Sequence, residues 1–173
     1  MDFKAGAVVS LESFFLGEST HSVDAKHRVF VPKRFQEVLD RNDDGNQVVY
    51  LTPGFERCLF LFSESRFQAA LAALKTQAFG GAQLRRMQRL FFGNAHKTTL
   101  DGSGRVVLPE KLRTHAGLAK EVTMVGVGER AELWDKSAWE SFEEESMADY
   151  DALDAVFAGE AVGGDPGGGG GAA

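Results

Sequence analysis

Residues 15–34 read FLGESTHSVDAKHRVFVPKR, and residues 92–113 read FGNAHKTTLDGSGRVVLPEKLR. Asp24, Arg28 and Pro32 of the first stretch recur as Asp101, Arg105 and Pro109 of the second, each 77 positions on, so D-x-x-x-R-V-x-[VL]-P occurs twice. Self-similarity at a fixed offset marks a repeated structural unit. A second block follows in each copy, VVYLTPGFERCLFLF from Val48 and VTMVGVGERAELW from Val122. There Leu59 matches Leu133 and Phe60 matches Trp134 at an offset of 74, so the first copy carries a connection three residues longer. Loops absorb such differences.

Each copy reads as the same β-rich unit with one short helix. Residues 20–23 and 96–100 alternate in polarity ahead of the aspartate, a polar or glycine-bearing turn follows, and Arg-Val-x-Val/Leu opens another short strand. The expected result is a hairpin-like corner. Proline suits a helix start, which predicts helices over Pro32–Arg41 and Pro109–Ala116, the second ended by Gly117. The later blocks predict strand pairs around a Gly-containing turn, Val48–Thr52 with Cys58–Phe62 and Val122–Val127 with Ala131–Trp134.

Between the units, Ser63–Phe79 is apolar at Phe67, Ala70, Leu71 and Leu74, a helical spacing that begins from a Ser cap. Ala82–Phe92 is expected as a further helix, and Asp135–Glu145, capped by Asp135, as the counterpart after the second unit. Arg85 and Arg89 lie four apart on the Ala82–Phe92 helix, with Arg86 beside them, a basic face suited to phosphates or to acids of a neighbouring subunit. Phe91 and Phe92 read as core.

The 173 residues are 43% hydrophobic, with fourteen Phe, enough for a substantial core. The net charge of −6 is unevenly placed. Nine of the 25 acids lie from Glu140 onward, where there is no Lys or Arg; the remaining 16 acids face all 19 basic residues, leaving the body at +3. The terminal GGDPGGGGGAA lacks G-K-[ST] and is expected to be a disordered end, not a phosphate loop. No run approaches the roughly 20 apolar residues of a membrane helix. Residues 1–13 lack the features of a signal peptide, so a cytoplasmic protein is expected. A single cysteine, Cys58, precludes an intrachain disulfide or a thiolate zinc cage.

The doubled D-x-x-x-R-x-x-x-P motif, the FLGE start and RRMQRLFFG between the units resemble the MraZ family over about residues 14–142. The resemblance implies an α+β fold of duplicated AbrB-like, swapped-hairpin-type β-barrel units (the SpoVT-AbrB domain) with short flanking helices and an acidic tail. The implied organisation is an N-terminal extension (1–13), a first unit with its helix (14–80), a linking helix (81–91), a second unit with its helix (92–146) and an acidic glycine-rich tail (147–173). It further implies a cytoplasmic, nucleoid-associated transcriptional regulator of the division and cell-wall gene cluster. Such a regulator binds repeated boxes in promoter DNA as a ring-shaped homo-oligomer, without cofactor, metal or membrane.

On that reading Arg28 and Arg105 contact DNA, since a guanidinium pairs bidentately with guanine O6 and N7 or with a phosphate. Lys26 suits a positioning phosphate contact. Asp24 and Asp101 are expected to hold the corners through ion pairs with Arg28 and Arg105, with Gly104, Pro32 and Pro109 shaping the turns. The bland alternative makes the arginines structural too. His27 stands where the family pattern has the glycine that Gly104 supplies, and the segment 1–13 and the acidic tail also depart from that pattern. Two other readings are an AbrB-like antitoxin and a ring that never meets DNA.

An enzyme finds little support. Gly126-x-Gly128-x-x-Ala131 mimics a dinucleotide fingerprint, yet the strand expected over Ala131–Trp134 stands where a helix must begin. His21, His27, His96 and His115 show no ligand spacing, and Cys58 in an apolar strand is expected to be inert.

Overall fold

The structure is a computed structural model that describes residues 10–75 and 80–157. After one 3-10 turn at Leu11–Ser13, the first copy supplies β1 (Phe15–Ser22), β2 (Arg28–Phe30), α1 (Lys33–Gln36), β3 (Val48–Pro53) and β4 (Leu59–Phe62). Two helices follow, α2 (Glu64–Lys75) and α3 (Ala82–Gly93). The second copy supplies β5 (His96–Thr99), β6 (Arg105–Val107), α4 (Glu110–Ala116), β7 (Glu121–Gly128) and β8 (Ala131–Asp135), and then α5 (Lys136–Ala148). The α+β class and the duplicated, interleaved units are those expected.

The two copies are threaded through each other. Six strands form one antiparallel sheet in the order β1-β7-β8-β4-β3-β5, and β2 pairs with β6 in a second, two-stranded ribbon. β1 lies against β7 of the other copy from Phe15↔Gly128 to Ser22↔Glu121, and β5 lies against β3 from Val48↔Thr99 to Leu51↔His96. Each copy therefore lends its first strand to its twin. Val29 faces Val106 and Leu59 faces Leu133, pairs of repeat equivalents, so an approximate two-fold axis passes through both positions.

Alternation along the strands places two layers on this sheet. Val49, Leu51, Leu59, Leu61, Val122, Met124 and Leu133 belong to a core shared with Val29, Val31 and Phe35 of the first copy and Val106, Leu108 and Leu112 of the second. The intervening side chains Tyr50, Phe60, Phe62, Val125 and Trp134 belong to an aromatic cluster with Phe67 of α2, Met87, Phe91 and Phe92 of α3, and Trp139. Burial on both faces is why β4 reads LFLF without polar alternation. Each such Leu, Phe or Met contributes roughly 1.5–3 kcal/mol.

β1 and β7 meet most tightly at Gly126, opposite Gly17. A Cβ built there would lie 2.4 Å from the backbone of Phe15 and Leu16, so no larger residue lets β1 seat.

The helices behave locally as expected with two exceptions. Ser63 Oγ accepts the Arg66 N–H at the start of α2, Asp135 Oδ2 accepts the Ser137 N–H at the start of α5, and α4 ends at Gly117. The α2 reading extended to Phe79, and residues 76–79 lie outside the described residues. α1, expected over Pro32–Arg41, is confined to Lys33–Gln36. Val38 and Leu39 donate only three residues back, and Asn42 Oδ1 then accepts the N–H groups of Asp44 and Asn46, which turns the chain away. Pro32 and Pro109 sit as N-caps, one residue ahead of the helices they were expected to begin.

From Glu140 the chain forms a separate compact unit, in which α5 is followed by a 3-10 turn at Tyr150–Leu153 and a short helix α6 (Asp154–Phe157). The start of the segment read as a tail is thus helical; the glycine-rich end and residues 1–9 lie outside the described residues.

Candidate nucleic-acid interface

Each D-x-x-x-R corner is a turn built around its aspartate. Asp24 Oδ1 accepts the N–H groups of Lys26 and Arg28, both at 2.9 Å, while the Asp24 N–H donates to the Arg28 carbonyl and the His27 N–H to the Asp24 carbonyl. Asp24 Oδ2 takes Arg28 Nε at 2.7 Å. The second corner repeats this atom for atom: Asp101 Oδ1 accepts Ser103 and Arg105 N–H, and Oδ2 takes Arg105 Nε at 2.9 Å. A short side chain satisfying its own turn is what favours Asp here.

The strands on either side of a corner do not pair with each other, contrary to the hairpin-like expectation. β1 joins the large sheet and β2 crosses to β6, because each finds a longer or more apolar partner in the other copy. That crossing brings the two corners together. With Phe30 opposite Arg105 and Arg28 opposite Val107, Arg28 Nη1 stands 3.8 Å from Asp101 Oδ2 and Arg105 Nη1 stands 3.7 Å from Asp24 Oδ2. The four charges alternate around one cluster.

The Arg28 backbone N–H, followed by its guanidinium hydrogen bond, the Lys26 N–H and the Arg28 charge, holds the Asp24 carboxyl below its ordinary value of 3.8 despite partial burial. The Arg105 and Ser103 N–H groups and the Arg105 side chain do the same for Asp101. Both stay ionised through the neutral range and fix the arginine planes. The side chains of Arg28 and Arg105 remain 26% and 33% exposed, and Nη2 of neither takes part in a hydrogen bond or ion pair with a described residue. Each guanidinium is thus anchored at Nε and presents its outer end. Exposed Lys26 stands on the first turn; the second has Ser103 in its place.

His27 and Gly104 occupy matching positions at left-handed φ angles of 58° and 75°. Histidine accepts this conformation, as the sequence reading anticipated. The two are held alike, the His27 carbonyl accepting the Leu108 N–H and the Gly104 carbonyl the Val31 N–H.

Gln36 and Arg113, a repeat pair, were missed as supports: Gln36 Nε2 donates to the Val31 carbonyl and Arg113 Nε to the Leu108 carbonyl. The 77-residue offset, carried a few positions past the prolines, pairs them.

Other candidate chemistry does not converge on the corners. Gly126–Ala131 is the β7–β8 turn, and Ala131 opens strand β8. Cys58 is buried, donates to the Phe55 carbonyl, and burial pushes its thiol up to about 12. No group of three or more His, Cys, Asp or Glu side chains among the described residues could hold a metal ion, and no described helix is long and apolar enough to cross a membrane.

Fold and site together define a class: a single-chain tandem of interleaved β units that presents a matched pair of anchored arginines on a shared two-stranded ribbon. The family model "MraZ protein, putative antitoxin-like" matches residues 14–90 and again 91–156. A transcriptional regulator MraZ of Acetivibrio thermocellus is 41% identical over 128 residues, covering 74% of this chain and 85% of its own. Those of Carboxydothermus hydrogenoformans and Pelotomaculum thermopropionicum are 38% and 37% identical over 139 residues, 80% of this chain. The chain belongs to the MraZ family.

Proposed function

We propose that this chain is a DNA-binding transcriptional regulator that reads duplex DNA with Arg28 and Arg105 and steadies itself on phosphates through Lys26. The observation that carries the reading is the pairing of the two corners on the β2–β6 ribbon. Two guanidinium groups fixed at Nε offer their outer nitrogens side by side, an arrangement suited to base edges, where a loosely held side chain would lose entropy on ordering. The names of its relatives agree with this reading. The target is repeated boxes upstream of the division and cell-wall gene cluster, and the working form is a ring-shaped homo-oligomer in the cytoplasm, at the nucleoid.

Mobility shifts on the chain's own upstream DNA test this. Arg28→Ala and Arg105→Ala each weaken specific binding by about 1–3 kcal/mol, the range of a good base contact. Both variants elute as the parent oligomer in gel filtration with light scattering. The double variant keeps only weak, salt-sensitive binding that no longer distinguishes true from scrambled boxes. Parental affinity in both single variants would make the corners purely structural.

A further inference from the structure

The two corners carry the same arginine but draw their other positive charge from different places. In the first turn the extra cation is Lys26, whose repeat equivalent in the second turn is Ser103. Beside the second corner, however, a polar cleft of about 300 Å³ opens between the start of α1, the loop 41–47 and the turn 101–104. Lys33 and Arg41 line it, both exposed, and neither forms an ion pair with a described residue.

The cleft is a built feature. Arg41 Nη1 donates to the Gly45 carbonyl at 2.6 Å, which pins the guanidinium to its loop, and Gln47 Nε2 donates to the Gln36 carbonyl, which ties the loop to α1. Asp43 and Asp44, the acids of this loop, do not line the cleft. The one carboxylate that does, Asp101, is already engaged by Arg105. An anion entering here meets two cations and no competing negative charge that is unpaired.

The matching place beside the first corner has lost this character. Leu108 N–H reaches the His27 carbonyl just as Val31 N–H reaches the Gly104 carbonyl, so α4 flanks the first corner as α1 flanks the second. There the repeat equivalents of Lys33 and Arg41 are Glu110 and Leu118, and the three-residue extension is missing.

We infer that the cleft formed by Lys33 and Arg41 beside Arg105 seats a backbone phosphate of bound DNA, taking at the second corner the place that Lys26 takes at the first. The inference rests on the DNA-binding reading above.

The test uses the full chain and its own upstream duplex, beside a scrambled duplex, across a salt series. In Lys33→Ala/Arg41→Ala, both exposed positions, thermal unfolding stays parental. Binding to true and scrambled duplex falls together by about ten-fold or more, and the slope of log affinity against log salt shrinks by about 2, one phosphate contact for each cation removed. A charge-matched control, Arg85→Ala/Arg89→Ala on α3, which packs on the opposite face of the six-stranded sheet, keeps the parental slope. A parental slope in Lys33→Ala/Arg41→Ala, or an equal loss in the α3 control, overturns the inference. If that happens while Arg28→Ala and Arg105→Ala still lose the true site, only the cleft fails; if the arginine variants also bind as the parent does, the corner reading fails with it.

Discussion

At the scale of single residues, the two corners reach one geometry from different starting points. His27 and Gly104 share a left-handed backbone, yet only Gly104 lies under a neighbouring side chain: a Cβ there would come within 2.3 Å of Gln36 Nε2, the amide that holds the Val31 carbonyl. Gly104→Ala therefore strains the backbone and displaces that amide, and is expected to cost about 1–3 kcal/mol in urea unfolding. Gln36→Ala in the same background should recover part of the loss, because the clash is with a side chain, and failure to recover any would assign the whole cost to backbone strain. The motif itself was legible, since an aspartate capping its own turn is a local pattern. The cross-links Arg28–Asp101 and Arg105–Asp24 were not, because they join positions far apart in sequence that meet only after β2 and β6 pair.

Among the elements, β1 depends most on a single contact. It lies at the edge of the six-stranded sheet and pairs there with β7 alone, and the backbones come close enough at Gly126 to exclude any side chain. Gly126→Ala is expected to destabilise the chain by more than about 3 kcal/mol and to expose the β1 amides first, seen as lost hydrogen-exchange protection over Phe15–Ser22. Retained protection there would show that β7 can shift to make room. β3, β4, β7 and β8 were readable because apolar runs flank a turn at a short distance, and α2 to α5 because period and cap agree. What could not be read was the lending of β1 and β5 between copies, since each strand's pattern is satisfied equally by a partner from either half. The side chains that record the choice, such as Thr20 and Thr123 with hydroxyls 2.8 Å apart, carry no mark of one another in sequence. α1 was overextended because helical propensity past Gln36 loses to the Asn42 turn.

For the molecule as a whole, this exchange makes the halves inseparable. Residues 10–80 alone would present β1 without β7 and β3 without β5, and residues 81–157 the reverse. Each fragment made separately is expected to lack a cooperative urea transition, and mixing the two should restore one; a fragment that unfolds cooperatively as a monomer would contradict the interleaved core. The helices α2 and α3 span the junction between copies, so the pairing is intramolecular and its strength does not depend on protein concentration. The approximate two-fold has a further effect. Lys26 corresponds to Ser103, His27 to Gly104, Gln36 to Arg113, and one connection holds three extra residues. Two identical chains related by the same axis would have to show the same surface twice. Fused into one polypeptide, the halves change one at a time, and the body gains a head and a tail. Laid along a duplex, such an object has a direction: it distinguishes a site from the same site reversed, and every copy in a row must point the same way.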